Sequence, residues 1–392
     1  MTKKVEELLQ TLKNETIEAI TSDYENKEIK TRDIVKKYGL NISPNQLTEL
    51  IPPLQTKKKC EWCSSFMLVK RKRSSYYPNY CYCRVCGHSE SPYCDCEKCV
   101  EKELEKERLL KEKKEIMLKE KRSKIINLWC LKKEVVNFDD LTLLQKIHIG
   151  VLLNSSNSNY LDVISPNENT IGLVYPTLNE TTKTIQDLLK YSILTVSPHT
   201  TVAAFSDDGK EIINLGKIVF TLNLNKQDIQ PFNDLYNGKF ELNNAEFLNL
   251  WSYIAQQEVL QYLLFRMKNI GFGDFNPGEK TIAVIQKMLE SFAVSQCMSL
   301  IYSAIKTCYL KYAERKMDKK RAMNSVISCC ESYMMRAEKE RWDVKKYIWP
   351  RDLEKSIAST YIYDKVLKIG NVGITHRPTF RTQLIEEGWL NE

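Results

Sequence analysis

Long apolar stretches are missing from this 392-residue chain. None of its uninterrupted nonpolar runs approaches the roughly 18 residues that a membrane-spanning helix needs. The N-terminus also lacks a basic segment followed by an apolar one, the pattern with which a secretory signal peptide begins. Both absences predict a soluble, cytoplasmic protein without a membrane partner.

Sequence motifs of catalytic sites are missing as well. Only four histidines occur, none at the spacing of an HExxH zinc site, and there is no phosphate-binding loop, dinucleotide fingerprint or nucleophile elbow. These absences favour a protein that is not an enzyme. The alternative is a metal-dependent nuclease in the C-terminal part, with Glu258 and Asp274 as its candidate acids.

Neither sign of charge dominates the composition. The chain carries 58 Lys and Arg residues against 50 Asp and Glu residues, a net charge of +8. This excess favours nucleic acid as a partner only weakly. Local clusters of cations therefore carry more information than the total.

Cysteine, in contrast, is concentrated in one short segment. Eight of the 13 cysteines, and one of the four histidines, fall between Cys60 and Cys99. In a reducing compartment such close spacing is typical of metal ligands rather than of disulfides. A gap of two residues lets both thiolates of one tight turn reach the same ion. The pairs Cys60/Cys63 and Cys83/Cys86 have this gap, and together they resemble a zinc ribbon.

The rest of the cysteine-rich segment predicts a second site. Cys94, Cys96 and Cys99 supply three ligands, and His88 or Cys81 supplies the fourth. We favour His88, because it closely follows the second cysteine pair and its imidazole can turn toward the other site. The segment therefore predicts two zinc ions, each with a structural role.

A run of cations separates the two cysteine pairs. Four consecutive cations are followed by two tyrosines, and together they suit contacts to phosphates with stacking on bases. An ordinary solvated loop is the alternative. The predicted nucleic-acid-binding residues are Lys70, Arg71, Lys72, Arg73, Tyr76 and Tyr77.

The segment before the cysteines is predicted to be helical. Residues 1 to 20 have nonpolar side chains at the spacing of one amphipathic helix. A short helix from Thr31 ends at Gly39, and Ser43-Pro44 predicts a second over Asn45 to Ile51. This pair resembles a helix-turn-helix, which implies DNA binding, and a helical cap on the zinc module is the alternative. The side chains expected to pack inward are Ile34, Val35, Tyr38 and Leu40.

The remaining sequence gives an overall α+β class, mainly α. Residues 101 to 124 are dominated by Glu, Lys and Arg, which predicts a solvated helix. The predicted parts are a helix-turn-helix-like segment (1–55), a zinc ribbon (56–100), a charged linker helix (101–124), an α+β region that could be a winged helix (125–240) and a helical bundle (241–392).

Several elements of the C-terminal part can be placed from the sequence. Thr177 and Glu180 form a capping-box pattern at the start of a helix that runs to Lys190. A last helix is expected from about Asp352 to Leu367. The predicted strands are Ile193 to Val196, Val202 to Phe205, Ile212 to Leu215 and Ile218 to Leu224.

The favoured hypothesis combines these patterns. It is a zinc-containing protein that binds nucleic acid, most simply DNA, as a component of a larger assembly, with a partner protein or a second copy of itself. One alternative is a protein-interaction adaptor in a mobile-element or phage-defence complex. The nuclease is the other.

Overall fold

The computed structural model describes residues 3–72, 78–130, 133–156, 158, 162–165, 168–225 and 230–390. The chain divides into two compact units, an N-terminal unit of Met1–Met117 and a C-terminal unit of Leu118–Glu392. It is 57% helical with only small sheets, which confirms the α+β, mainly α class. The five-part division predicted from the sequence is finer than these two units and stays a prediction.

The N-terminal unit begins with helices that enclose a small nonpolar core. Its described elements are α1 (Lys3–Thr11), α2 (Asn14–Glu25), α3 (Thr31–Lys37), α4 (Leu47–Leu50), the strands β1 (Leu54–Lys59) and β2 (Phe66–Val69), and the first part of α5 (Glu97–Trp129). The prediction of one helix over residues 1 to 20 is wrong, because the backbone is extended at Lys13 and separates α1 from α2. Val5 from α1 and Ile20 from α2 are nevertheless fully buried in the same core.

The turn after α3 has the predicted form. Gly39 has a φ of +60°, and the amide of Leu40 donates to the carbonyl of Val35 at 3.0 Å, which closes the helix end. The four side chains that were expected to pack inward belong to this core, so that prediction is confirmed. The second helix, however, is only Leu47–Leu50 rather than Asn45 to Ile51. At about 6 Å it is too short to lay a row of side chains in a DNA groove, so the helix-turn-helix interpretation lacks a recognition helix.

A hairpin follows the helices and positions the cysteines. Strand β1 pairs antiparallel with β2, with Leu54 opposite Val69. Tyr82 exchanges two backbone hydrogen bonds of 2.8 Å with Leu68 and also bridges to Ser89. The chain around Tyr82 is thereby held beside the hairpin, which brings the second cysteine pair close to the first.

The C-terminal unit has a helical majority and one small sheet. Its described helices are α6 (Leu143–Ser155), α7 (Leu178–Lys190), α8 (Gln230–Asn237), α9 (Asn244–Asn269), α10 (Glu279–Ser291), α11 (Val294–Ala313), α12 (Lys319–Lys339), α13 (Ile357–Thr360), α14 (Val372–Thr375) and α15 (Arg381–Glu386). The strands are β3 (Val163–Ile164), β4 (Leu194–Val196) and β5 (Phe220–Leu222), and short 3-10 helices cover Phe138–Asp140, Ile171–Leu173, Val202–Ala204 and Leu215–Lys217.

The sheet has the order β3-β5-β4, and both pairings are antiparallel. The predicted strands at Ile193 to Val196 and Ile218 to Leu224 are confirmed at their centres as β4 and β5. The two predicted between them do not form strands and are joined only by one antiparallel bridge, between Phe205 and Ile212. There the side chains of Thr201 and Asn214 accept hydrogen bonds from backbone amides two residues on, which start 3-10 turns instead of strands.

Helix α7 begins where the sequence predicted but not with a full capping box. The Thr177 hydroxyl accepts from the Glu180 amide at 3.3 Å. The Glu180 carboxylate instead accepts from the Tyr253 hydroxyl at 2.8 Å. This buried bond ties α7 to α9 of the bundle.

The bundle is built around α9, whose Trp251 and Tyr262 are fully buried. The predicted helix from Asp352 to Leu367 starts later, at Ile357, and passes into a π-helix at Tyr361–Val366. The helix starts late because the Ser356 hydroxyl caps it by accepting from the Ser359 amide at 3.0 Å, while the Leu353 carbonyl upstream accepts from the Trp349 indole at 2.6 Å. None of the helices in the described residues combines the length and the apolar character that crossing a membrane requires.

Candidate metal centre

The first group of ligands is formed by two equivalent turns. The amide of Cys60 donates to the Ser65 carbonyl at 2.8 Å, and the amide of Cys83 donates to the His88 carbonyl at 2.6 Å. Four residues after the first cysteine of each turn, Ser64 and Gly87 have positive φ values of 58° and 71°. Glycine adopts this backbone conformation without strain, which explains why it suits the second turn. Both turns aim their thiols at one point.

The sulfur atoms of this group are spaced for a tetrahedral metal. Cys60 Sγ lies 3.5 Å from Cys86 Sγ, and Cys63 Sγ lies 3.3 Å from Cys83 Sγ. All four sulfurs lie within 4.8 Å of one another. Four thiolates at the usual Zn–S length would be about 3.8 Å apart. The chemistry of the donors and their separation both fit one zinc ion.

The second group combines one imidazole with three thiols. His88 Nδ1 lies 3.2 Å from Cys99 Sγ, 3.6 Å from Cys94 Sγ and 3.7 Å from Cys96 Sγ. His88 is only 6% exposed, so its ring is held in place. Its other nitrogen, Nε2, lies 3.5 Å from a carboxylate oxygen of Glu61. The Trp62 indole donates through Nε1 to Nδ1 at 3.2 Å, so Nδ1 is the nitrogen that carries a lone pair, the form in which it can bind a metal.

Cys81 lies outside both groups. Its carbonyl accepts from the Glu90 amide at 2.9 Å, and Glu90 pairs with Lys58 at 3.0 Å. Burial, together with the hydrogen bond to the Glu90 carboxylate, raises the pKa of the Cys81 thiol. Of the two candidates for the fourth position of the second group, the structure therefore places His88 there and not Cys81.

The first group already favours a thiolate. Hydrogen bonds from the hydroxyl and the amide of Ser65 lower the pKa of Cys63 to about 6. A metal binds the deprotonated sulfur, so a lower pKa reduces the free-energy cost of binding at neutral pH. Ser65 therefore supports the site although it is not itself a ligand.

The predicted nucleic-acid-binding residues differ in their exposure and in what they contact. Lys70 and Lys72 are exposed, whereas the Arg71 guanidinium pairs with Glu25 of α2 and donates through Nε to the Pro52 carbonyl at 3.0 Å. Arg71 thus joins the hairpin to the helical segment. Arg73, Tyr76 and Tyr77 lie outside the described residues.

Lys70 and Lys72 line a groove of about 750 Å³ within the N-terminal unit. Its wall also contains Tyr80, Tyr82 and Arg84, which the sequence analysis overlooked. The signal was present, because Tyr80, Tyr82 and Arg84 alternate with Cys81 and Cys83 along an extended segment and such residues point to opposite sides. Among the described residues that line it are three cations and one carboxylate, that of Glu49.

The two candidate acids of the nuclease alternative do not form a site. Glu258 is fully buried and accepts from the Tyr363 hydroxyl at 2.8 Å, and burial raises its pKa to about 7. Asp274 is exposed and pairs with Lys319 at 3.2 Å. In the described part of the chain, the only groups of three or more His, Cys, Asp or Glu side chains placed to hold a metal are the two cysteine groups.

Removing His88 should cost the chain one of two metal ions. We expect His88→Ala to leave three thiols in the second group, which weakens zinc binding there, while the first group stays loaded. Elemental analysis of the purified protein would show about one zinc per chain. Cys81→Ser is the matched control and should keep both ions. If Cys81→Ser lost one zinc ion and His88→Ala kept both, Cys81 rather than His88 would be the fourth ligand of the second group.

Comparison with known proteins identifies no relative: no protein-family model matches the chain, and no curated protein or solved structure is significantly similar to it.

Proposed function

We propose that the N-terminal unit is a module built on two structural zinc ions, that it binds DNA through the groove lined by Lys70, Lys72 and Arg84, and that the protein acts within a larger assembly. The observation that carries this proposal is the groove itself. It brings cations and tyrosine rings from the segment between the two cysteine pairs, and Arg84 from the second pair, into one concave surface.

Zinc is the metal that best fits the donors. A set of four cysteines, or of three cysteines and one histidine, selects zinc and leaves no coordination position open to a substrate. A closed site of this kind stabilises the surrounding chain. The role of the metals is therefore to hold the groove walls in place.

The groove has the chemistry of a site for a nucleic acid strand. Lys70, Lys72 and Arg84 can contact successive phosphates, and Tyr80 and Tyr82 offer rings to bases or sugars. Tyr80 is 41% exposed, which leaves its ring face available. The ion pair of Arg71 with Glu25 holds the chain next to Lys70 and Lys72 against α2.

Participation in an assembly is supported by α5. Along its 33 residues many nonpolar side chains are exposed, among them Leu104, Ile116 and Met117. Neighbouring nonpolar side chains such as Ile116 and Met117, exposed together, suit a surface that meets another protein. A protein-interaction adaptor is therefore the second candidate function, and a second copy of this chain is one occupant of that surface.

Neutralising the groove should weaken DNA binding. For Lys70→Ala/Arg84→Ala in the full-length, zinc-loaded protein, we expect the affinity for a labelled single strand of about 30 nucleotides to fall roughly tenfold at low salt. The slope of log affinity against log salt should decrease by about 1.4, since two phosphate contacts are lost. Fluorescence anisotropy measures both, with the corresponding duplex in parallel.

The matched control is Lys27→Ala/Arg32→Ala, which removes the same two charges from exposed positions outside the groove. It should bind as the wild-type protein does. Equal affinities and slopes in both double variants would overturn the groove assignment. A wild-type protein that binds neither probe but purifies with a defined protein partner would favour the adaptor.

A further inference from the structure

Helix α7 of the C-terminal unit presents a narrow polar stripe. Asn179, Lys183, Gln186 and Lys190 are all exposed, and their spacing of four, three and four residues places them on one face of the helix. The opposite face is buried through Thr181, Thr184, Ile185 and Leu188. The stripe thus consists of two carboxamides and two ammonium groups, alternating along the helix.

The helix that carries the stripe is rigidly held. Thr177 caps its first turn, and the buried bond from Tyr253 to Glu180 fixes that turn to α9. At its other end Lys133 donates to the Leu189 carbonyl at 3.1 Å. Fixed ends mean that the exposed side chains are presented from one defined backbone position.

The surroundings of α7 leave its outer face accessible. A short 3-10 helix at Ile171–Leu173 precedes α7, strand β4 follows it, and the β4–β5 connection lies across a groove of about 610 Å³. Thr182, Gln186 and Lys190 line that groove from α7. Lys210 and Glu211 of the connection also line it, as do Leu128 and Trp129 at the end of α5. The strand order is β3-β5-β4, and α7 lies directly before β4; the winged helix considered for residues 125–240 has this order of elements.

The stripe matches the dimensions and chemistry of a DNA major groove. Thirteen residues extend for about 20 Å, and a major groove about 12 Å wide admits one α-helix. Carboxamides of Asn and Gln can pair with two atoms of an adenine edge, and lysines contact guanine or phosphate. The charged side chains of the described residues that line the groove are three lysines, Lys133, Lys190 and Lys210, and one carboxylate, Glu211. Asp187 is exposed beside the stripe.

We propose that α7 is a second DNA-binding element, which enters the major groove of duplex DNA and reads bases through Asn179 and Gln186 while Lys183 and Lys190 hold the phosphates. This inference goes beyond the function proposed for the N-terminal groove and does not depend on it. It gives the chain a site with sequence preference, which cations alone do not provide.

The first test removes the two lysines. In the full-length, zinc-loaded protein, Lys183→Ala/Lys190→Ala should bind a labelled duplex of about 30 base pairs and random sequence roughly tenfold more weakly at low salt, with a salt slope lower by about 1.8. The matched control, Lys287→Ala/Lys306→Ala, removes two exposed lysines from α10 and α11 of the same unit and should change neither quantity. Thermal unfolding checks that each variant is folded. If the double variant is unfolded, the single variant Lys190→Ala, at the last residue of α7, is measured in its place.

The second test addresses base reading. Selection from a random duplex pool should enrich a motif with the wild-type protein, and Asn179→Ala/Gln186→Ala should lose that preference while its salt slope stays unchanged. All variants are also measured in the Lys70→Ala/Arg84→Ala background, so that failure of one site is seen separately from failure of the other. If the α7 lysine variant bound DNA as tightly as its control and the wild-type protein enriched no motif, the inference would be overturned. The exposed face of α7 would then be assigned to binding a protein.

Discussion

Cys83→Ser should abolish metal binding in the first group and unfold the hairpin around it. Cys83 is 1% exposed and shares a very small core with Cys60 and Met67. Three buried side chains cannot offset the conformational entropy of the segment, so the metal must supply most of the stability. A structural zinc contributes about 10 kcal/mol or more to the folding of a small module. Losing one of its four ligands should therefore unfold residues 54–96 at ordinary temperatures.

Hydrogen exchange resolved along the chain would measure this effect. In the variant we expect amides of the hairpin to exchange rapidly while those of the bundle around α9 keep their protection, because that core is separate. Cys81→Ser, a cysteine of the same segment outside both groups, is the control and should keep the wild-type pattern. Full protection of residues 54–96 in Cys83→Ser would contradict a fold held by metal.

Gly150→Ala should strongly destabilise the C-terminal unit. A Cβ at this position would overlap the Tyr361 hydroxyl and lie 2.9 Å from the Leu235 carbonyl oxygen. Tyr361 is buried and its hydroxyl donates to that same carbonyl, so neither group can move without breaking the bond. Such overpacking costs about 3 kcal/mol. For a unit of this size the melting temperature should fall by roughly 6–10 °C.

The control for this prediction is Gly172→Ala, in the short 3-10 helix before α7. A Cβ there would meet no atom within 4 Å. Differential scanning calorimetry should place its melting temperature at the wild-type value. If Gly150→Ala also melted at the wild-type temperature, the close contact between α6 and the π-helix would be wrong.

The metal groups could be predicted because their information is local. Two residues between paired cysteines fix a turn, and the sequence shows that spacing directly. The preference for His88 over Cys81 was weaker, since both lie within reach of the second group along the chain. The structure separates them because Tyr82 is held between Leu68 and Ser89, which keeps Cys81 next to Glu90.

The groove proposed to bind nucleic acid could be predicted only in part, because charge alone does not show what a side chain contacts. Arg71 lies in the middle of the predicted cationic run, yet its guanidinium forms an ion pair with Glu25, a residue distant in sequence. Arg84 was overlooked for the opposite reason, as a single cation between two metal ligands. Only the folded structure shows that Arg84 lines the same groove as Lys70 and Lys72.

In the C-terminal unit, the sequence located the start of α7 at Thr177 but predicted two strands that do not form. Residues 202 to 205 and 212 to 215 are rich in nonpolar side chains, as strands are, but Thr201 and Asn214 bond to nearby backbone amides and favour turns. The π-helix after α13 has no sequence signature, because it is set by the packing of Tyr361 and Tyr363 against other elements.

We propose that the cysteine-rich segment holds two zinc ions, which organise a DNA-binding module. Native mass spectrometry of the full chain, purified without chelators, tests it most directly because it counts ions on the intact folded protein. We predict a mass excess of two zinc ions per chain, falling to one in His88→Ala. A folded chain without bound metal, or with the same metal content in His88→Ala as in the wild type, would contradict it.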